Sequence, residues 1–374
     1  GRFRYAFDFE VADAEGKLHA GEAPETKDYY CYKLPVLAAA AGVITKVENS
    51  VADNEAGKLN LEQNWGNYVI VRHAAGLYSL VAHLQRGSIK VLEGQAVRQG
   101  DLLGLCGNSG RSPRPHVHFQ LQSGDRLGDA TIPCRFTDAV SLESGERVVV
   151  DLCPVEGQQV RNLDIDEERS SFFSFPYRAS WLFKTKIEHG AVTASDAETG
   201  EATESEQLES DVDPTGQWLL RSSERGSCLY FSLTDGFFTA YDSAGLTTPA
   251  LRILRAALSR VPLDGSDTLR WTDYLPARSF RSSIGRVLTD IVSPFLHRDG
   301  IEMEYQMHRQ GNLLVVLGES RNRNGHGEPQ VKTRAELMRS SGLLRASLTV
   351  RGRTFTMARE SDIVATPNAA PVTA

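Results

Sequence analysis

The stretch Gly104-Leu-Cys-Gly-Asn-Ser-Gly-Arg-Ser-Pro-Arg-Pro-His116-Val-His118 places two histidines two positions apart, directly after a run of turn-forming residues. The residues that follow, Phe119-Gln-Leu-Gln122, alternate between apolar and polar side chains. Such alternation is typical of a β-strand, and side chains at positions i and i+2 of a strand point to the same side. The sequence therefore predicts that His116 and His118 face one site at the start of a strand.

Two further candidates for this site lie upstream. Asp8 interrupts the apolar run Tyr5-Ala-Phe-Asp-Phe9, and a second strand-like segment, Gly76–Leu84, ends with His83. A carboxylate buried in an apolar strand is costly unless it is paired or binds a metal. A hydrolytic metal centre needs ligands for the metal and a base beside it, and these residue types supply both.

With these motifs the chain resembles the lysostaphin-type (LytM-type) zinc metallopeptidases, which cut peptide bonds in bacterial peptidoglycan. The resemblance covers about residues 2 to 140 and depends on many segments in a fixed order. In chain order they are Tyr5-Ala-Phe-Asp-Phe9, Pro35–Ile44, Gly66–His73, Ala82-His83-Leu84, Val91–Gly104, Gly107-Asn-Ser-Gly110 and Pro115-His-Val-His-Phe119. The resemblance implies an antiparallel β-sheet metallopeptidase domain at residues 1–140, truncated at its N-terminus.

The resemblance also implies a role for each candidate residue. Asp8 and His118 would bind Zn²⁺, while His83 and His116 would transfer protons as base and acid. The implied substrates are the peptide stems or cross-bridges of peptidoglycan, although the sequence does not specify which bond is cut. The implied location is the cell envelope, either periplasmic or secreted.

The chain departs from the family at the third zinc ligand, a histidine that lies a few residues before the aspartate. Position 4 is Arg4, and a guanidinium that stays protonated has no lone pair for a metal. Relatives with a similar motif carry this histidine further upstream, and the chain begins at Gly1 without an initiator Met. We expect a truncated sequence whose ligand precedes Gly1. The alternative is a catalytically inactive LytM-like module that binds the cell wall or regulates another wall hydrolase.

A second departure concerns the oxyanion that forms during hydrolysis. Many relatives carry a tyrosine two positions before the histidine of the His-Leu pair, whereas this chain has Val81. Loss of an oxyanion donor costs about 2.7 to 4 kcal/mol in other hydrolases. Slower catalysis, or a substitute donor, is therefore expected. His73 also matches a position where the family often has histidine, and we expect it to pack or to support the site rather than to bind metal.

Composition narrows the possible partners and the compartment. A net charge of −7 over 374 residues argues against a nucleic-acid partner, which favours a basic surface. No apolar run approaches the roughly 18 residues of a membrane span, so no transmembrane segment is expected. The five cysteines show no Cys-x-x-Cys metal pattern. A disulfide between Cys134 and Cys153 and a set of buried thiols are equal alternatives.

The resemblance ends near residue 140, and the remaining sequence predicts a different architecture. Residues 141–180 are expected to form a connector with short strands, and residues 181–365 a β-rich (α+β) accessory domain. Residues 366–374 are rich in Ala, Pro and Thr and are expected to be a disordered tail. The predicted fold class is therefore mainly β, with the metallopeptidase domain followed by this second domain.

Within residues 181–365 the expectation is a set of long antiparallel strands with one or two helices. Helical spacing of apolar residues predicts a helix over Thr248–Arg260, and Ser279–Phe295 is a candidate second helix. The acidic stretch Ala194–Asp213 is expected to be a solvated hairpin loop. No constellation of reactive residues identifies a partner for this domain, so a structural accessory role is expected. A cell-wall polymer, a lipid or a protein remain the alternative partners.

Overall fold

The computed structural model describes residues 4–189, 203–245, 248–276, 300–321, 331–350 and 352–363. Strands are the main regular structure of these residues, which contain two short α-helices, so the prediction of a mainly β chain is confirmed. The chain divides into two compact units, Gly1–Arg135 and Phe136–Ala374. Neither described helix has the length and apolarity that crossing a membrane requires.

The first unit is built around a seven-stranded antiparallel sheet with the order β1-β8-β5-β4-β3-β6, and β9 beside β8. Strands β2 and β7 pair separately, and a 3-10 turn spans Thr26–Asp28. The strands are β1 (Phe7–Phe9), β2 (Pro35–Leu37), β3 (Gly42–Glu48), β4 (Asn67–Ala74), β5 (Leu77–Leu84), β6 (Ala96–Val97), β7 (Leu102–Leu105), β8 (Val117–Gln122) and β9 (Thr131–Ile132).

Strands β4 and β5 form the centre of this sheet because their sequences are apolar on both faces. Consecutive residues Val69-Ile-Val71 and Leu80-Val-Ala82 are all buried, which is the pattern of a strand covered on both sides. Strand β8 lies next to β5 and is covered in the same way, since its polar residues Gln120 and Gln122 are buried as well. The apolar and polar alternation of β8 therefore separates two buried faces.

The second unit contains a fifteen-stranded sheet and both α-helices. The elements are β10 (Ala139–Ser141), β11 (Arg147–Val149), β12 (Val160–Arg161), α1 (Glu167–Ser170), β13 (Ser180–His189), β14 (Thr203–Val212), β15 (Trp218–Ser222), β16 (Cys228–Thr234), β17 (Phe237–Ala244), α2 (Pro249–Ala257), β18 (Arg260–Pro262), β19 (Arg270–Pro276), β20 (Gly300–Gln310), β21 (Leu313–Ser320), β22 (Val331–Met338), β23 (Gly342–Val350) and β24 (Arg353–Ile363).

Strand order in this sheet begins with β12, β10, β11 and β19, runs from β20 to β24, and then from β13 to β18. The neighbouring strands are antiparallel except for β11 and β19, which are parallel. The long strands predicted from Trp181 onward are present, for example β13 and β16.

The two edge strands of the sheet, β12 and β18, are connected by polar contacts. Arg161 on β12 donates two hydrogen bonds to the Asp264 carboxylate, which lies just after β18, over 2.7 and 3.0 Å. The backbone N–H of Asp166 also donates to the carbonyl of Leu263 over 2.8 Å. An open strand edge invites pairing with other chains, and these contacts close the sheet upon itself.

Helix α2 confirms the helix that was predicted over Thr248–Arg260, although it ends at Ala257. The Thr248 hydroxyl accepts a hydrogen bond from the N–H of Leu251 and caps the first turn. Proline at the first helical position, Pro249, suits this start because its missing N–H would have had no partner. The apolar residues of α2 pack against strands β13, β16 and β21 to β24. The candidate helix Ser279–Phe295 lies outside the described residues.

The structure bears on two further expectations for this unit. The prediction that the acidic stretch Ala194–Asp213 forms a loop was wrong for its second part, because Thr203–Val212 forms β14. The buried residues Glu206, Leu208 and Ser210 alternate with partly exposed ones, so Glu209 and Asp211 lie on the outer face of the strand while Glu206 lies on the inner face. The predicted connector, residues 141–180, contributes β11 and β12 to the large sheet and buries Phe172 and Phe173 in its core. The predicted tail, residues 366–374, lies outside the described residues.

Candidate metal and catalytic site

Strand pairing around β8 brings the four predicted site residues into one cleft. Asp8 on β1 lies opposite His118 in the register of β1 and β8. On the other side of β8, His118 lies opposite Ala82, so His83 at the end of β5 is next to it. His116 immediately precedes β8. Three adjacent strands therefore position all four side chains without any long loop.

We call this cavity the histidine cleft. It is open to solvent, with a volume of about 670 Å³. Its lining residues are Ala6, Asp8, Glu10, Asn64, Trp65, His83, Arg111, Pro113, Arg114, His116 and His118.

Asp8 and His118 form the closest polar pair of the cleft that involves a histidine. His118 Nδ1 lies 2.8 Å from Asp8 Oδ1. The hydrogen bond from His118 lowers the pKa of the Asp8 carboxyl, against the opposing effect of partial burial, and the other histidines add to the lowering. The expectation of a buried carboxylate was wrong, because the side chain of Asp8 is 63% exposed. Among the described residues its strand β1 pairs with β8 alone, at the edge of the sheet.

His83 and His116 face each other, with ring centroids 4.7 Å apart. The Nδ1 atom of His83 lies 2.8 Å from the carbonyl oxygen of Ser109, and that of His116 lies 2.9 Å from the carbonyl oxygen of Arg114. Because a carbonyl oxygen only accepts, each Nδ1 carries the hydrogen and each Nε2 is left with its lone pair. Burial lowers the pKa of His83 to about 3, with a further contribution from His116. His83 is therefore neutral at physiological pH.

The backbone at His83 is itself unusual. Its φ is +63°, in the left-handed region that a residue other than glycine seldom adopts. Two hydrogen bonds hold it there, from His83 N–H to the Trp65 carbonyl over 3.3 Å and from Gly107 N–H to the His83 carbonyl over 3.1 Å. Strain of this kind persists only where the surroundings determine the conformation, and here it turns the ring into the cleft.

The segment Gly107–Gly110 that supplies the Ser109 carbonyl is packed tightly against the start of β4. Gly110 has a φ of +81°, and a Cβ atom placed on it would clash with the backbone N atom of Gly66. The Ser109 hydroxyl meanwhile accepts from the N–H of Asn67 over 2.9 Å. This contact fixes the segment, and with it the orientation of the His83 ring.

Sequence reasoning did not identify five polar or aromatic residues that line the cleft, namely Glu10, Asn64, Trp65, Arg111 and Arg114. The ring of Trp65 lies 5.5 Å from that of His118 in an edge-on arrangement, and Asn64 and Arg111 line the same cavity. They lie in loops as single residues, so no spacing pattern marks them. The place of Trp65 directly before the Gly66–His73 segment was the one available signal.

Strand β5 does not provide a substitute for the tyrosine that many relatives carry at the position of Val81. Val81 is buried and carries no hydroxyl. Tyr78 lies opposite Gln122 in the register of β5 and β8 and does not line the cleft. His73 contacts the carbonyl of Ala41 and the hydroxyl of Ser79, over 2.8 and 2.9 Å, as expected for a packing histidine.

The donor atoms of Asp8 and His118 fit a zinc ion by their chemistry, since zinc accepts imidazole nitrogen and carboxylate oxygen. Their 2.8 Å separation directs both donors to the same point of the cleft. Within the described residues, however, no group of three or more His, Cys, Asp or Glu side chains is arranged for metal binding. The guanidinium of Arg4 lies over the Tyr5 ring, 5.3 Å from its centroid, and is no substitute ligand. The five cysteines form no disulfide among the described residues, Cys134 and Cys153 included.

Comparison with known proteins bears on the first unit. Residues 28–130 match Peptidase family M23, which confirms the LytM-type resemblance for this segment. The match contains His83, His116 and His118, while Asp8 lies before it. The family match covers less than a third of the 374 residues.

Curated relatives share the same part of the chain. The DD-carboxypeptidase/endopeptidase Mpg of Neisseria meningitidis is 38% identical over 88 residues, which are 24% of this chain and 17% of the relative. The peptidoglycan DD-endopeptidase ShyC of Vibrio cholerae is 34% identical over 87 residues, 23% of this chain and 17% of the relative. The chain thus spans about a sixth of the length of these relatives. Among solved structures, the catalytic domain of lysostaphin from Staphylococcus simulans has 24% identity and a TM-score of 0.22, covering 27% of this chain and 68% of that chain.

Proposed function

With residues 28–130 as a Peptidase family M23 domain, we propose that the chain is a zinc-dependent endopeptidase that hydrolyses peptide bonds of bacterial peptidoglycan. The cell-wall substrate follows from relatives that are named as peptidoglycan endopeptidases. Peptide stems or cross-bridges would lie in the histidine cleft, which is open enough to admit an extended chain. The location that fits this substrate is the cell envelope, periplasmic or secreted.

Asp8 and His118 would hold the metal, together with a further ligand from outside the described residues. Zinc, when bound, supplies a Lewis acid and lowers the pKa of a coordinated water to about 7. The partial exposure of Asp8 leaves solvent access to this point, and the ring of Trp65 lies edge-on to that of His118.

His83 and His116 would transfer the protons of the reaction. Each has an Nε2 lone pair, because each Nδ1–H donates to a backbone carbonyl. Burial keeps His83 neutral, so its Nε2 lone pair is available for a hydrogen bond from water. One member of the pair would take the proton of the water and one would deliver a proton to the leaving amine. General acid and base catalysis of this type contributes about 10² to 10⁴ in rate.

Asn64 and Arg111 are candidates for the role that Val81 does not fill. Both line the cleft, and an amide N–H or a guanidinium N–H can donate to a developing oxyanion. They also provide polar contacts for the backbone of a bound peptide.

The observation that carries the proposal is the convergence of four side chains from three adjacent strands in one open cleft. The test is release of soluble fragments from purified peptidoglycan by the zinc-loaded protein, together with its zinc content. We expect release that a chelator abolishes and that added zinc restores. His73→Gln is the matched control, because this histidine belongs to the same unit but does not line the cleft, and it should keep full activity.

A second candidate function is favoured by the incomplete ligand set. Two ligands hold zinc poorly compared with three, and the described residues offer no third. The chain would then be an inactive LytM-like module that binds the wall or regulates another hydrolase. Co-sedimentation with peptidoglycan, without zinc uptake and without fragment release, would support this function and contradict the first one.

A further inference from the structure

Behind His118, on the side away from Asp8, two glutamines form a chain of buried hydrogen bonds. His118 Nε2 lies 3.1 Å from Gln120 Oε1, and Gln120 Nε2 donates to Gln122 Oε1 over 2.7 Å. Gln122 Nε2 in turn donates to two backbone carbonyls, those of Gly124 and Arg126, over 2.8 and 3.0 Å. Both glutamine side chains have zero exposure, so water does not compete for these bonds.

The direction of every bond in this chain is set at its far end. Carbonyl oxygens accept and never donate, so the group of Gln122 that faces Gly124 and Arg126 must be its NH₂. Its oxygen must then face Gln120, and Gln120 must donate to that oxygen from its own NH₂ group. That leaves the oxygen of Gln120 directed at His118. A nitrogen that faces this oxygen must carry hydrogen, and it is Nε2.

We propose that Gln120 and Gln122 act as positioning residues that hold His118 with its hydrogen on Nε2 and thereby commit Nδ1 to the metal. Nδ1 faces Asp8 Oδ1 at 2.8 Å and is the nitrogen that can exchange its proton for a metal ion. Only one tautomer of a neutral imidazole presents that lone pair, and a partner on the other nitrogen selects it. The inference rests on the proposed function and deepens it, because it concerns how one ligand of the same metal is oriented.

Burial makes this arrangement stricter than a surface contact would be. Reversing the amide of Gln122 would place its oxygen against two carbonyl oxygens, and no solvent could compensate. Reversing Gln120 alone would set its oxygen against the oxygen of Gln122. The hydrogen-bond chain therefore has one consistent arrangement. It runs from the carbonyls of Gly124 and Arg126 through Gln122 and Gln120 to His118.

Two substitutions at Gln120 separate positioning from simple packing. Gln120→Met keeps the shape of the side chain and removes the acceptor for Nε2–H. Gln120→Glu keeps an acceptor for Nε2–H but sets a carboxylate oxygen against Gln122 Oε1. We expect Gln120→Met to weaken zinc binding by about 10-fold to 100-fold, while Gln120→Glu keeps zinc affinity and lowers the melting temperature of the metal-free protein. A packing role would move affinity and melting temperature together in both variants.

The direct readout is the nitrogen-15 spectrum of the histidine rings in the metal-free protein at mildly alkaline pH, with His118 assigned by a His118→Gln variant. We expect the Nε2 of His118 to carry hydrogen in the parent and to lose it in Gln120→Met, where the remaining partner, Asp8, holds the hydrogen on Nδ1. An unprotonated Nε2 in the parent, or unchanged zinc affinity in Gln120→Met, would overturn the inference. The spectrum does not depend on hydrolysis. A parent that shows Nε2–H but takes up no zinc would contradict the proposed function and leave the positioning by Gln120 intact.

Discussion

His116 and His118, which flank Val117, have different surroundings and therefore different proposed roles. His118 has one ring nitrogen beside Asp8 and the other beside Gln120, so both nitrogens are committed. His116 uses Nδ1 for the Arg114 carbonyl and keeps Nε2 for chemistry, 3.8 Å from Asp8 Oδ1. The division of labour follows from the partners of each ring.

This division predicts the effect of removing His116. In a His116→Ala variant, fragment release from peptidoglycan should fall at least about 100-fold, since a general acid or base is lost, while zinc content stays at the parent value. Release can be followed by the soluble peptide formed, and zinc by atomic absorption. Loss of zinc from this variant would mean that His116 and His118 have been assigned each other's role.

That the four candidate residues share one cleft could be predicted from the sequence, because each lies in a segment with a recognisable motif. The supporting residues could not. Gln120 and Gln122 look like the solvent side of an alternating strand, and their burial depends on what covers β8 in three dimensions. The exposure of Asp8 was missed for the same reason, since the sequence does not show that β1 has a single neighbour.

At the level of elements, the turn Gly107–Gly110 determines how accurately His83 is held. Gly110→Ala should lower the free energy of unfolding by at least about 2 kcal/mol, because it adds a steric clash with Gly66 to the cost of a positive φ. Gly94→Ala is the matched control. Gly94 also has a positive φ, +83°, but an added Cβ would meet no atom within 4 Å.

Chemical denaturation of the two variants measures the difference. Gly94→Ala should show only the conformational cost, about 1 to 2 kcal/mol, and keep its activity. Gly110→Ala should lose activity in addition, since the Ser109 carbonyl moves away from His83. Equal destabilisation in both variants would refute the role given to the contact with Gly66.

Helix α2 carries much of the apolar contact of the second unit, and a pair of leucines tests this. Leu254 is 2% exposed and belongs to the main core, whereas Leu233 on β16 is 42% exposed. Leu254→Ala should cost about 2 to 5 kcal/mol of stability, and Leu233→Ala less than about 0.5 kcal/mol. Similar losses in urea unfolding would mean that α2 does not support the sheet.

Elements with a strong local signal were predicted well, and those defined by distant partners were not. The helix at Pro249–Ala257 has its cap, its proline and its apolar spacing within ten residues. Four of the ten residues of β14 are acidic, and its strand character depends on pairing with β13 and β15. A strand with several acidic residues has a local composition similar to that of a solvated loop.

For the second unit as a whole, closure of the fifteen-stranded sheet depends on a buried carboxylate. Asp264 has zero exposure. Burial acts to raise the pKa of Asp264, but the hydrogen bonds from Arg161 and from the N–H groups of Ser266 and Asp164 outweigh it and lower that pKa. A lowered carboxyl pKa in the folded state contributes stability above the unfolded pKa, about 3.9, and this stability is lost as pH falls through the folded value.

The corresponding prediction concerns Asp264→Asn. At pH 7 the variant should be less stable than the parent by about 3 kcal/mol, the cost of breaking a buried pair, and the difference should shrink as pH is lowered below about 4. Urea unfolding at several pH values measures it. Asp235→Asn, at an exposed position, is the control and should follow the parent throughout. A gap that widened in acid would contradict the assignment.

The organisation of the whole chain was only partly accessible from its sequence. The first unit carries the motifs of a known family, so an antiparallel sheet and the strands that carry Asp8, His83 and His118 could be anticipated. The second carries none, and its closure through Arg161 and Asp264 joins residues more than a hundred positions apart. Single-residue contacts over such a separation leave no periodic signal.

The position of Asp8 on the edge strand has a kinetic consequence. Strand β1 is three residues long and pairs with β8 alone, so it belongs to the parts of a fold that open locally at low free energy. His118 lies between two strands and stays in place during such an opening. One side of the proposed zinc site would thus detach while the other remains, and the residence time of the ion would follow the fraying rate of β1. Backbone amide exchange at Phe7 and Phe9 should therefore slow when zinc binds, while exchange in β4 stays unchanged.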